Sequence, residues 1–427
     1  MIRTKHVLIL FFYLIYFTDG WGEDPFILSL RQAENIAIKN NYQINASLHR
    51  LEQGYYGYKA SQAYFKPQVS FASQIDLTKD ENSLDAVLKM TQPLYDKVAR
   101  YQLKEAEIQW EMAKLELQQK ICDILFEVRK AYFTILLNQA HVNVDKVIIE
   151  LWEEELKRQE RLLELGGAIP FDLNQIRLHL KSARSDYYDS EGEVKTSEIK
   201  LLTILGLAPN TRFKLDENDI PLPPSDWQYG GVERWKQLAL EYRPQLRQQQ
   251  FSYLLSKAKV KQVKSERLPT VSFYANAGNR YVNNGFIAQP YVGAGVNVDW
   301  SLYDPTNHYR VKQAKEGLHE AASDYFQADL EIDAIIYALL NQLNQSYLAY
   351  QNAKEGASLA QEGMEMAVRK HQIGMMSSFE YRDTIKTLHE AEQQVNQAKF
   401  DLHNVYDRLI QHVGLDLKKD PLCISGS

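Results

Sequence analysis

The sequence predicts a mainly α-helical protein made of two tandem structural halves, each with a long helical hairpin and one β-hairpin. Three observations predict it. The phrase "LYDKVARYQLKEAE" at 94–107 returns as "LYDPTNHYRVKQAK" at 302–315, an offset of 208 residues. From Leu94 to Leu165 there are 72 residues with neither Gly nor Pro. Between further repeated anchors, the apolar period switches from the 3.6 of a helix to the 2 of a strand.

Other landmarks share the 208-residue offset: "ILGL" (204–207) with "HVGL" (412–415), Gly166 with Gly374, and Phe171 with Phe379. Upstream the offset is 202, pairing "NYQIN" (41–45) with "RPQLR" (243–247) and "KPQVSF" (66–71) with "LPTVSF" (268–273). Solenoid units are far shorter than this, roughly 20–50 residues, so the repeat reads as duplication of a whole half. The expected organisation is a leader over 1–20, a first half over 21–207, an irregular connector over 208–231, a second half over 232–415 and a tail over 416–427.

The chain opens with Arg3, Lys5 and His6, continues through "VLILFFYLIYF" (7–17) and reaches small and polar residues in "TDGWG" (18–22). That order is the pattern of a secretory signal peptide. Its apolar run falls short of the roughly 20 residues that span a bilayer as a helix. Export with cleavage is therefore expected, a retained N-terminal anchor being the alternative. The formal net charge of −6 argues against a nucleic-acid partner. Two cysteines, Cys122 and Cys423, cannot make a disulfide framework and read as a core thiol and a tail thiol.

In the first half the β-hairpin is expected over about 68–93 and the helical hairpin over 94–205, turning at 165–170. The long arm could reach about 100 Å at 1.5 Å per residue. Along it Leu103, Ala106, Trp110, Ala113, Leu117, Ile121, Ile124, Val128, Ala131 and Ile135 alternate three- and four-residue steps, as in a coiled coil. A second set, Leu115, Leu125, Tyr132 and Leu136, lies off that seam, which suits a helix with neighbours on both sides. "LELGGAIPFD" (163–172) supplies glycines to end the helix and Pro170 for the first turn of the return arm. The second half repeats the design, with a β-hairpin over about 270–301 and a helical hairpin over 306–413 turning at 373–377 in "HQIGMMSSFE".

Both β-hairpins alternate. Val69, Phe71, Ser73, Ile75 and Leu77 interleave with Ser70, Ala72, Gln74 and Asp76, and Val292, Ala294, Val296 and Val298 interleave with Gly293, Gly295 and Asn297. Strands of about ten residues are the length a transmembrane β-strand needs. An ordinary half-buried sheet alternates in the same way. Aromatics at the helix-proximal ends, Tyr64, Phe65, Tyr95, Trp300 and Tyr303, together with export, favour the membrane reading. Four strands cannot close a barrel, since the smallest membrane barrels use about eight, so subunits must share one.

The order helix, hairpin, long helix, glycine turn and helix, twice over, with "KPQVSF"/"LPTVSF", "QPLYD"/"WSLYD" and "GGAIPFD"/"GMMSSFE", resembles the TolC-type outer membrane efflux proteins from about Leu28 to Leu415. What that resemblance implies is a homotrimer whose shared twelve-stranded barrel in the outer membrane continues into an α-helical tube across the periplasm. It would be the exit duct of a tripartite efflux or type I secretion system, in outer membrane lipid, with a periplasmic adaptor and an inner-membrane transporter as partners. The competing architecture is a periplasmic coiled-coil scaffold or adaptor-like protein without a membrane barrel.

No convergent set of acids, bases, nucleophiles or ligands has recognisable spacing, so no enzyme, cofactor or resident metal is expected. Met364, Met366, His371, Met375 and Met376 have the softness of a copper site, but Met beside a helix turn reads first as packing. The resemblance places Leu165, Gly166, Gly167, Ile373, Gly374 and Met375 on the turns that meet the adaptor, and Asp172, Glu380 and Asp383 at the pore constriction. A capping reading competes for two of these. Ser377 followed by Glu380 is a capping box, and Asp172 suits a first turn. Asp383 lies beyond the first turn, where capping explains it less well. This chain has His371 and Met376 where related mouths often have an aromatic and a basic residue.

Overall fold

The computed structural model describes residues 26–77, 82–167, 169–224, 227, 231–282 and 287–414. The expected leader, the tail with Cys423 and the turn residues 78–81 lie outside them. The first half runs β1 (Phe26–Leu28), α1 (Leu30–Asn40), α2 (Tyr42–Ala63), β2 (Gln68–Leu77), β3 (Asn82–Tyr95), α3 (Lys97–Glu164) and α4 (Pro170–Leu205). After β4 (Phe213–Leu215) the second runs α5 (Gly231–Tyr242), α6 (Pro244–Ser265), β5 (Thr270–Val282), β6 (Ile287–Asp299), α7 (Pro305–Gln372) and α8 (Ser378–Val413). Duplication extends to length: α3 and α7 have 68 residues each, α4 and α8 have 36 each.

The repeated phrase marks two helix starts. Asp96 accepts from the Ala99 N–H at 2.8 Å and Asp304 from the Thr306 N–H at 2.9 Å, closing open donors of the first turn. Because these aspartates cap, β3 runs to Tyr95 rather than 93 and α3 begins at Lys97 rather than 94. The connector expected to be irregular holds β4, which pairs in parallel with β1 and sets Phe213 6.1 Å from Phe26, ring centroid to centroid.

The repeated "GL" landmarks are close approaches. Gly206 and Gly414 end α4 and α8 in the left-handed region, and a Cβ there would fall 2.7 Å from the Asn40 carbonyl oxygen and 2.8 Å from that of Tyr242. The ends of α1 and α5 thus butt against the return arms where no side chain fits. Around these joints lie two cores. Ala33, Ala37, Val128, Tyr132, Leu201 and Leu205 are buried together in the first half, and Trp235, Ala239, Ile336, Tyr406, Leu409 and Val413 in the second. On one side of the joints α2 and α6 flank the first stretches of the long helices; on the other, α4 and α8 pack along their remainder.

The four long strands form one sheet in the order β2-β3-β5-β6. Register sorts the residues by face, since directly paired residues point the same way. Phe71 pairs with Leu88, Leu88 with Ala277, Ala277 with Val292 and Phe273 with Val296, all on one face. Ser70, Lys89, Asn276 and Gly293 share the other. The apolar face is bare, with Phe71 69%, Ile75 68% and Val292 87% exposed. A bulge between Pro93 and Tyr95 changes the parity of β3, so that Tyr95 falls opposite Val271 on that face. Among the described residues no helix is long and apolar enough to cross a membrane.

Candidate functional site at the paired helix turns

The two glycine turns are near copies. Gly166 and Gly374 have φ of 75° and 76°. In one turn the Gly167 N–H donates to Leu162 O at 2.8 Å, and in the other the Met375 N–H donates to Lys370 O at 2.9 Å. These bonds close open carbonyls after a left-handed residue that glycine adopts without strain. Each turn presents apolar side chains to solvent: Leu165 and Ile169 in the first, Ile373 and Met375 in the second.

Polar bonds hold the turns at the same end. Arg158 Nη2 donates to His371 O at 2.6 Å, and Gln159 Nε2 donates to Ser378 Oγ at 2.6 Å, so the last turns of α3 lie beside the α7–α8 turn. Beneath them, Glu155 and His371 are 2% and 3% exposed. His371 Nε2 lies 2.8 Å from Glu155 Oε2, and its Nδ1 lies 3.2 Å from Met376 O. Both ring nitrogens are engaged, which leaves none for a metal. Gln159 Nε2 also donates to Glu155 Oε1 at 2.9 Å, and the His371 ring stacks on Tyr381 at 4.2 Å. Burial, with Glu155 and Glu154 nearby, pushes the Tyr381 phenol up to about 12.

Further along, the α3–α8 contact continues in polar pairs. His389 Nε2 lies 2.9 Å from Asp145 Oδ1, and Arg129 reaches Asp407 at 3.3 Å and Glu34 on α1 at 2.7 Å. Ser190 on α4 donates to Asp145 at 2.7 Å. Burial pushes the Asp145 carboxyl up, but the bonds from His389 and Ser190 outweigh it and hold it below its ordinary range. The α3 seam does not stop at Ile135. Its three- and four-residue steps run on through Asn138, Val142, Asp145, Ile148, Trp152, Glu155 and Gln159, all buried. The spacing places these residues on the inward face, but not the partners they meet there.

Asp172, Glu380 and Asp383 flank the turns in different settings. Glu380 completes its capping box: its Oε2 accepts from the Ser377 N–H at 2.9 Å and from Ser377 Oγ at 2.8 Å, while its own N–H donates to Ser377 Oγ at 3.2 Å. The backbone and hydroxyl of Ser377 hold its carboxyl below the ordinary value. Asp172, half-buried, sits in the first turn of α4 after Pro170. Asp383 is exposed and lines a groove of about 630 Å³ between α4 and α8, floored by Ile148 and Trp152 of α3 and rimmed by Phe171, Phe379 and Arg382. Of the methionines beside the turn, Met364 is buried in the apolar cluster with Trp152 and Ile385, whereas Met375 is exposed. Among the described residues no group of three His, Cys, Asp or Glu side chains could hold a metal.

This architecture has known counterparts. A sequence model of outer membrane efflux proteins matches residues 34–207 and 235–415, one match in each half. The alkaline protease secretion protein AprF of Pseudomonas aeruginosa is 21% identical over 425 residues, covering 92% of this chain and 86% of the relative. The outer membrane protein TolC of Vibrio cholerae is 19% identical over 420 residues, covering 95% of this chain and 94% of the relative. Among solved structures, VceC of Vibrio cholerae matches with a TM-score of 0.79 at 12% identity, over 90% of this chain and 96% of that one. The outer-membrane channel OprN matches with a TM-score of 0.78 at 17% identity, over 91% and 90%. The likenesses in structure show a shared fold, and the paired sequence matches cover both halves from α1 to the end of α8. The chain belongs to the outer membrane efflux protein family.

Proposed function

We propose that this outer-membrane channel works as a homotrimer, the exit duct through which solutes delivered by a periplasmic adaptor and an inner-membrane transporter leave the cell. The sheet carries the reading. Among the described residues, one chain has four strands of 10–14 residues, one bare apolar face and two unpaired edges at β2 and β6. Open edges are not tolerated in lipid, where every backbone group must be bonded. Three copies joined edge to edge would close twelve strands with the apolar face to lipid, an arrangement foreign to a soluble scaffold.

The tube asks for the same partners. Phe326, Leu330, Tyr337, Leu348, Leu359 and Met366 are exposed on α7. Steps of 4, 7, 11, 11 and 7 residues keep them on one helix face, which neighbouring protomers would cover. At the far end, the apolar tips Leu165, Gly166 and Gly167 and Ile373, Gly374 and Met375 form the rim offered to the adaptor, and Asp172, Glu380 and Asp383 surround the pore mouth. Purified protein from outer-membrane fractions should run as a heat-dissociable trimer and conduct ions in planar bilayers. Monomers recovered from the soluble periplasm, with no conductance, would refute the duct.

A further inference from the structure

Three consecutive rungs on the polar face of the β5–β6 pair set a glycine opposite a larger polar side chain. Tyr274 pairs with Gly295, Asn276 with Gly293 and Tyr291 with Gly278. In each rung the larger side chain lies over the glycine. A Cβ on Gly295 would fall 2.7 Å from Tyr274 Oη and 2.9 Å from its Cζ; on Gly278, 2.8 Å from both Cζ and Oη of Tyr291; on Gly293, 2.7 Å from Asn276 Oδ1. A Cβ on Gly278 would also lie 2.8 Å from the Ala86 carbonyl oxygen of β3; the other contacts are the far ends of side chains, so both rings reach sideways across the neighbouring strand. Side chains on a sheet ordinarily stand roughly perpendicular to it. Here the missing Cβ atoms open hollows into which they fold. Glycine inside a strand weakens it, which makes three on one face a cost that calls for a spatial reason.

We infer that Gly278, Gly293 and Gly295 set the width of the barrel lumen by letting Tyr291, Asn276 and Tyr274 lie flat against its wall. The inference rests on the trimeric barrel reading, in which the polar face is the inner one. Twelve strands about 4.8 Å apart and tilted about 40° enclose a backbone radius of about 12 Å. An upright tyrosine would take up about half of it. Three such rings at one level, one from each protomer, would leave a narrow passage, whereas folded flat they keep the lumen open to bulky solutes.

Ser272 lies on the same face, one rung nearer the helices than Tyr274, so a thiol there is reached from outside only past all three rungs. In a background carrying Cys122→Ala and Cys423→Ser, the Ser272→Cys protein is treated on whole cells with maleimide-polyethylene glycols of graded size. Tyr274→Ala should leave the largest labelling polymer unchanged, because a flat ring takes up no bore. Gly295→Val should lower that polymer mass by about twofold as the displaced ring enters the lumen. Adding Tyr274→Ala to Gly295→Val should restore it. A cut-off raised by Tyr274→Ala alone, or unmoved by Gly295→Val, overturns the inference. The first of these needs no change at a glycine, so it decides the matter even where Gly295→Val fails to assemble. No labelling by even a small charged maleimide in the Ser272→Cys background would remove the barrel reading, and the inference with it.

Discussion

Replacing His371 by Phe keeps the ring stacked on Tyr381 and deletes only its two polar contacts. Glu155, 2% exposed, would retain the 2.9 Å bond from Gln159 and Arg158 at 3.6 Å, while the Met376 carbonyl would lose its partner. Burial lowers the His371 pKa, so at neutral pH the contact is a carboxylate–imidazole hydrogen bond. It is not an ion pair of the kind that costs about 3–5 kcal/mol to break, and stranding a buried polar group costs about 1–3 kcal/mol. The lower range applies, because Gln159 and the partly solvated Arg158 still satisfy the carboxylate. At about tenfold per 1.4 kcal/mol, local opening of the α7–α8 turn should become roughly 5- to 150-fold more frequent. Hydrogen exchange on the assembled protein reads it directly. Peptides over 371–385 should exchange faster, while those over 402–413, in the second-half core, should not change. Adding Glu155→Leu to His371→Phe should return much of the protection, since replacing both partners of a buried hydrogen bond by apolar groups can be nearly neutral. Equal exchange in wild type and His371→Phe, or strictly additive losses in the double variant, would refute the claim that this pair fastens the turn.

Cysteines at Phe71, Leu88, Phe273 and Val296 should resist a charged thiol reagent that labels cysteines at Gln74, Lys89, Asn276 and Asn297; uniform labelling would contradict the face assignment. Gly166→Pro and Gly374→Pro should abolish export while leaving trimers in the membrane, and normal export in both would remove the rim hypothesis. Glu380→Ala with Asp383→Ala should raise single-channel conductance and lower cation preference, as expected for carboxylates ringing a pore. Unchanged conductance together with a lower melting temperature would leave Glu380 as a cap alone. The pH dependence of that cap has a definite sign. Ser377 holds the Glu380 carboxyl below its ordinary value of 4.5, so the box contributes fully above that value and is lost as pH falls through the lowered one. The stability difference between wild type and Glu380→Ala should therefore shrink only in acid.

Duplication made much of this fold legible. Anchors at a fixed offset located both β-strand-to-helix handovers, both glycine turns and both joints, because each needs a particular residue: aspartate to cap, or glycine where a Cβ cannot fit. The strand faces were readable because alternation has a period of 2, and the observed register carries it across all four strands. The polar ladder was not readable. In "LWEEELKRQE" Glu153, Glu154 and Glu155 look alike, and only the third turns inward to His371, 216 residues away. Nothing local marks a carboxylate whose partner arrives from the other half. The rungs of the β5–β6 pair were hidden for a related reason, since glycine in a strand pattern does not announce which neighbour will lie over it.

The two halves match in length yet differ where they meet. Along the α7–α8 seam the buried residues of α7 are mostly apolar or small, Ile332, Ile336, Leu339, Leu343, Ala353, Ala357 and Ala367 among them. Between α3 and the second hairpin buried charges recur, Asp145 and Asp407 bonded between α3 and α8 and Glu155 bonded to His371 at the end of α7. Apolar packing is non-directional and tolerates sliding, whereas a buried carboxylate must keep a partner or leave for water. Duplication therefore gave each half the same hairpin, and the polar residues of α3 and α8 fix the register in which the two stand side by side. If the mouth opens by parting the hairpins, each pair that separates must be rehydrated, so opening would proceed between discrete states rather than by gradual spreading.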